Sequence, residues 1–253
     1  MQLEELKVRL DGMSKAKLRF VSRMVESLEH SPEALIKESQ TWITKSGDWL
    51  EHFGLALSVH HGVTSEPLRL ESFERVFREA SETVNWAVDP PGPPTRRFVD
   101  LVVDPGSGTK RLSLKSTAAR NLSKTTVHIS KLTEAAWIQD ARTGSKRREN
   151  LLQLFEHYVS AVDAIMMLRA FREPQSVPNC YQLLEIPTSI FRSLQRLPVS
   201  AFRRNAPVLD CVVNRETVAK VAVDRSDAKI TVRGIRVSAC IVHAEWSGEK
   251  TSD

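Results

Sequence analysis

Asp100 and Lys115 stand on either side of a turn signal, and together they carry the most specific chemistry in this sequence. Residues 97–117, RFVDLVVDPGSGTKRLSLKST, read as a β-hairpin. Two runs of alternating apolar character flank Asp104, Pro105, Gly106, Ser107 and Gly108, whose proline and glycines supply the fixed and positive backbone angles of a tight reversal. Alternation places Phe98, Asp100 and Val102 on one face of the first strand. On the second strand Arg111, Ser113 and Lys115 share one face, and Leu112 and Leu114 the other. If Asp100 lies opposite Ser113 or Lys115, the carboxylate and the amine project from the same side. An acid beside a lysine, with apolar neighbours behind them, can hold a divalent cation and a hydrolytic water next to a phosphate. The plainer alternative is a strand pair with a surface Asp and Lys, because an Asp followed at a distance by a Lys occurs by chance in most chains of this size.

The elements that position this pair come from hydrophobic spacing. Residues 1–30 place Leu3, Leu6, Leu10, Met13, Leu18, Val21, Met24, Val25 and Leu28 at helical intervals with a break at Gly12 to Ser14. This predicts one or two helices packed on the core, serving structure or as a dimerisation arm. SPEA at 31–34, with Ser as N-cap and Pro at the first helical position, predicts another helix toward Trp42 and Trp49. A further helix is expected from Leu68 to Trp86, with Leu70, Phe73, Phe77 and Val84 on one stripe. DPPGPPTRR at 89–97 predicts an extended loop in which Arg96 and Arg97 face solvent or phosphate. Residues 147–172 predict a long core helix. Strands are expected at 180–186, 208–213, 217–223, 229–232 and 236–246, with a short helix at 187–194 and disorder in 247–253. Helices, a hairpin, then helices and more strands imply an α+β fold around a mixed sheet. The whole of 1–253 reads as a single domain. Its parts are a helical N-terminal portion (1–65), a catalytic core (66–145), and a helix with C-terminal strands (146–246).

Composition narrows the function classes. At 253 residues and 41% hydrophobic content the chain can bury a sizeable core, and no run approaches the ~18 apolar residues of a membrane span. The acidic start MQLEELKVRL is unlike a secretory signal. Cys180, Cys211 and Cys240 are odd in number, widely spaced and lack metal-ligand partners, so reduced thiols in a cytoplasm are expected. The net charge of +5 is unevenly placed, since residues 110–148 hold ten basic residues against two acids. Such a basic concentration around the candidate site suits a polyanion, although Arg142 to Arg148 could equally be a solvated face. After Lys115, Ser116, Arg120, Asn121, Ser123, Lys124, Thr125, His128, Ser130 and Lys131 supply many groups able to bond phosphate oxygens, contacts that position a protein without reading sequence. His128 reads as structural, as do His60 and His61, for which a DNA contact is the alternative.

The Asp100 and Lys115 arrangement resembles the PD-(D/E)xK nucleases, with two departures: Val99 stands where the proline is usual, and Ser113 where the second acid is expected. The wider segments LKSTAARNLSKTTVHISK, YQLLEIPTSIF and CIVHAEW, with the HH at 60–61 and FERVF at 73–77 upstream, resemble segments of a type II restriction endonuclease in the same order. The resemblance spans roughly residues 47–246, with 86–97 and 195–235 divergent.

It implies a restriction-endonuclease-like mixed sheet flanked by helices and Mg2+-dependent hydrolysis of double-stranded DNA at a GC-rich palindrome. Asp100, Lys115 and Glu74 would be catalytic. The metal would be held by Asp100, the Leu114 carbonyl and Glu74, the helix glutamate compensating for Ser113; Glu71, Glu79 and Glu82 compete for that role. Ser116, Arg120, Asn121, Ser123, Lys124 and Lys131 would contact DNA. The resemblance also implies a homodimer, no membrane partner and a cognate DNA methyltransferase in the same cell. Two alternatives stand beside it: a DNA-binding protein that kept the fold without hydrolysis, and a monomeric repair nickase.

Overall fold

A computed structural model describes residues 3–89, 97–173 and 176–247. The sequence begins with two helices, α1 (Leu3–Asp11) and α2 (Lys15–Glu29), separated where Gly12 to Ser14 interrupts the pattern. The Ser14 hydroxyl accepts the Lys17 N–H and caps α2. The expectation that these helices pack on the core is not met, because neither contributes a buried residue among those described. Helix α2 rests by one edge on α3 (Gly47–His61), where the Ser27 hydroxyl donates to the Ser58 carbonyl.

The helix expected from Ser31 does not form. Ser31 closes α2, both its N–H and its hydroxyl donating to the Leu28 carbonyl. Residues Ala34–Ile36 are instead an edge strand, β1, paired antiparallel with the last strand, β11 (Ile241–Ser247), in the register Ala34↔Trp246. A partner two hundred residues away outcompetes a local capping signal.

Helix α4 (Leu70–Thr83) forms as its stripe predicts, burying Phe73, Val76, Phe77 and Ala80. The short β2 (Ala87–Val88), β3 (Leu101–Asp104) and β4 (Lys110–Thr117) follow, β3 and β4 being the expected hairpin. Gly106 and Gly108 adopt φ of 81° and 110° in its turn, a region open to glycine. Beyond β5 (Thr126–Glu134) and the short α5 (Trp137–Asp140) comes α6 (Gly144–Ala161), capped by the Thr143 hydroxyl.

The long helix expected over 147–172 ends at Ala161. Residues Ala164–Phe171 form β6, the central strand of the larger sheet. A run that is apolar at every position suits a strand buried on both faces as well as it suits a helix. Here Ile165 and Met167 enter one core, and Ala164, Met166, Leu168 and Ala170 the other.

The remaining elements are β7 (Cys180–Pro187), 3-10 helices at Thr188–Arg196, Val199–Phe202 and Val237–Ala239, and strands β8 (Val208–Val213), β9 (Glu216–Asp224) and β10 (Lys229–Arg236). A seven-stranded mixed sheet runs β1-β11-β7-β6-β4-β3-β2, and a four-stranded antiparallel sheet runs β5-β10-β9-β8. Helices α3 and α4 cover one face of the larger sheet, and α6 with the smaller sheet covers part of the other. The architecture is therefore α+β, a mixed sheet flanked by helices. The proline-rich segment and Arg96 lie outside the described residues, as do residues 248–253 of the C-terminal tail expected to be disordered. Arg97 is described and stacks over the Phe98 ring at 4.6 Å.

Candidate active site

Strand β3 pairs with β4 only as far as Leu101↔Leu112, while β4 continues to Thr117 against β6 in parallel. The two strands of the hairpin therefore part at Asp100. Phe98, two residues earlier, has φ of 74°, a conformation that costs a bulky residue energy and turns the chain into β3. The Asp100 N–H still reaches the Leu112 carbonyl at 2.9 Å. Two residues on, the Leu114 main chain points to the same side with β3 already ended. Its N–H donates instead to the Asp100 carboxylate (Oδ2, 2.6 Å), and its carbonyl accepts from Lys115 Nζ at 2.8 Å. The fork leaves backbone groups free of the ladder, and the two site side chains satisfy them.

The expected sharing of one face holds. Ser113 Oγ donates to Asp100 Oδ2 at 3.2 Å, and Lys115 Nζ donates to Ser113 Oγ at 2.8 Å and to Asp100 Oδ2 at 3.3 Å. The Lys115 side chain is 17% exposed and that of Asp100 32%, so the pair is partly dried but reachable from solvent. All three bonds to Asp100 fall on Oδ2. Ser113 is buried and bonds both charged neighbours, which fixes their spacing without adding charge. The buried Tyr158 of α6 leaves its hydroxyl without a hydrogen-bond partner among the described residues; burial first, and then the nearby Asp100 carboxylate, hold the phenol well above its ordinary range. Nothing in the sequence singled out Tyr158, which sits in an apolar helical stripe.

Glu74 lies on α4. Burial, followed by repulsion from the Asp100 carboxylate, raises its pKa above 4.5, opposed by the Lys115 ammonium. The glutamate thus shares an electrostatic environment with the hairpin pair. Glu79 instead lines a separate hollow with His52, His60 and Arg75. Among the described residues no three His, Cys, Asp or Glu side chains converge as a metal cluster. A cation at this centre would rest on two carboxylates, the Leu114 carbonyl and water. That donor set fits magnesium, a hard ion that keeps several waters and is commonly held by one or two carboxylates.

The candidate DNA contacts do not form one patch. Ser116 lies half-buried on β4, and Arg120, Asn121, Ser123 and Lys124 follow in the exposed connection to β5. Ser123 uses its hydroxyl to accept the N–H groups of Thr125 and Thr126, and Lys131 pairs with Glu134 at 2.6 Å on the smaller sheet. Several residues of the basic run serve the fold. Arg111 grips Asp163 at 2.8 Å, and the buried Arg147 donates to the carbonyls of Ala141, Phe202 and Arg203. His61 is held between the Thr64 carbonyl and the Tyr181 hydroxyl, burial pushing its pKa down, and His60 bonds the Glu66 carbonyl. Both histidines close the end of α3.

Over 207 residues the chain is 25% identical to the type II restriction enzyme SmaI of Serratia marcescens, an alignment that covers 79% of each protein. No family model matches the sequence, and no solved structure matches it. No helix among the described residues is long and apolar enough to cross a membrane.

Proposed function

We propose that this protein is a type II restriction endonuclease of the PD-(D/E)xK kind, hydrolysing phosphodiester bonds of double-stranded DNA at a short GC-rich palindrome with magnesium. The observation that carries the reading is the fork at Asp100, where one carboxylate, one ammonium and one ladder-free carbonyl meet, with Glu74 close enough for the Asp100 carboxylate to raise its pKa. Asp100, Glu74 and the Leu114 carbonyl would hold the ion. Because the bonds to Asp100 all fall on Oδ2, Oδ1 is the oxygen it offers. A bound magnesium ion would supply positive charge beside the scissile phosphate and a water of lowered pKa. Lys115 holds its ammonium where charge builds on the phosphoryl oxygens, turning a donor from Ser113 or Leu114 to the substrate. The protein would act as a homodimer in a cytoplasm, beside a methyltransferase that protects the host's own sites.

Incubation with plasmid DNA and magnesium should give discrete, reproducible fragments. Lys115→Ala should cut about a hundred- to a thousandfold more slowly while binding the same duplex, the loss expected when one preorganised charge is removed. Near-normal cleavage by that variant would remove the lysine from the mechanism. A second reading is favoured by Ser113 in place of the second acid: a DNA-binding protein with this fold and no hydrolysis. Selective duplex binding with no fragments under any divalent cation would establish it.

A further inference from the structure

We propose that a cleft at the far end of the catalytic face reads base edges in the major groove, which makes Arg172, Lys124 and Asn121 specificity-determining residues; the inference rests on the nuclease reading above. The cleft measures about 760 Å³, and its lining includes Asn121, Lys124, Arg172, Gln182 and Glu245. Strand register fixes its relation to the candidate centre. Lys115 pairs with Met167, Arg169 with Gln182, and Gln182 with Glu245, so these side chains project from one face of the sheet. Phe171, at the cleft, lies four residues beyond Met167 on β6, on the order of 13 Å at the rise of a strand. A duplex rises about 3.4 Å per base pair, so the cleft stands roughly four steps from the scissile phosphate, within the reach of a short half-site.

The chemistry of the lining distinguishes bases from backbone. A phosphate-binding groove gathers cations, whereas here Lys124 and Arg172 are matched by Glu173 and Glu245. Carboxylates repel phosphates but accept from the cytosine amino group. Arginine and lysine donate to the O6 and N7 of guanine, and asparagine pairs with adenine. The floor is a network of paired groups. Gln182 Oε1 accepts from the buried Arg169 at 2.8 Å and its Nε2 donates to Glu245 at 2.7 Å; the other Glu245 oxygen pairs with Lys37 at 2.8 Å. Arg172 by contrast is only loosely engaged, 3.8 Å from the exposed Glu66, and can turn into a groove at little cost. Asn121 and Lys124 thereby move from phosphate contacts to base contacts.

The test is sequencing of the ends produced when a randomised duplex library is cut by the wild-type protein, by Arg172→Ala and by Lys124→Ala, with magnesium. Unchanged thermal unfolding verifies that each variant is folded. Base reading predicts that one position of the site, mirrored in both half-sites, becomes degenerate in each variant, and that the rate ratio of cognate to altered sites falls about ten- to a hundredfold. An unchanged site with an unchanged ratio would overturn the proposal and leave the nuclease reading intact. A uniform loss over all sequences, with a salt dependence shallower by about one charge, would overturn it in favour of phosphate contacts. Wild-type protein that neither cuts nor selects any duplex would sink the nuclease reading and this inference together.

Discussion

At the scale of single residues, the proposed mechanism turns on position 113. An acid there would stand against Asp100 and would need a cation at all times. The serine instead donates to Asp100 and accepts from Lys115. Ser113→Ala should slow cleavage about ten- to a hundredfold with duplex affinity unchanged, since Lys115 loses one charge-assisted bond that fixes it. Equal kcat for the two proteins in single-turnover digestion would show that Ser113 positions nothing. Under the proposed reading the acid function would fall to Glu74. Because its pKa in the fold is raised above 4.5, the folded protein keeps this proton in a pH window where the unfolded chain has already released it. Ionising Glu74 inside the fold therefore costs stability as pH rises from 4.5 through the raised value, and a magnesium ion bound as proposed would offset that cost. Glu74→Gln should unfold at an equal or higher temperature than wild type at pH 7 without divalent ions, and should lose the stabilisation that magnesium gives the wild type. Thermal unfolding with and without magnesium from pH 8 down to 4.5 measures both. A wild-type magnesium effect that does not weaken as pH falls would take Glu74 out of the ligand set.

At the scale of elements, what was legible in the sequence was what neighbouring residues decide. Pro105 with Gly106 and Gly108 fixes the hairpin, and alternation along it puts Asp100, Ser113 and Lys115 on one face. The break at Gly12 to Ser14 and the stripe of α4 are equally local. Residues 34–36 and 164–171 form strands where local spacing predicts helix, because their state is set by strands distant in the chain. Once β6 is hidden inside a helix, the one charge in AIMMLRAF loses its meaning, and so do the partners it aligns on β7 and β11. That charge is Arg169, which is buried and donates to the Ser123 and Thr126 carbonyls as well as to Gln182. It ties the connection carrying Arg120, Asn121 and Lys124 onto the sheet. Arg169→Met should leave these acceptors unpaired and cost about 1–3 kcal/mol, a fall in Tm of roughly 2–12 °C for a chain of this size. Trypsin should then cleave after Arg120 and Lys124 faster than in the wild type. Equal digestion at those two bonds would show that the connection is held by other contacts.

At the scale of the whole molecule, one protomer presents one Asp100–Lys115 centre, whereas a palindromic duplex has two equivalent scissile bonds. A two-fold dimer meets each half-site with the same surface and cuts one strand with each centre. We would place the surface joining two copies on α1 and α2, whose apolar side chains follow helical spacing yet none of which is buried. Leu18 and Val25 stand two turns apart on one face of α2 and are 40% and 47% exposed. Helix α2 contacts α3 elsewhere, through Ser27 and through Met24 against Gly62. A charge at position 25 would therefore disturb the open face and spare that contact. The wild-type protein should sediment as a dimer, and Val25→Glu should shift it to a monomer with an unchanged unfolding midpoint when measured at high dilution. With supercoiled plasmid the variant should accumulate nicked circles before linear product, because its two cuts come from independent encounters. A wild-type protein that sediments as a monomer both free and on DNA would favour the nickase reading. A dimer untouched by Val25→Glu would place the two-fold interface on another face.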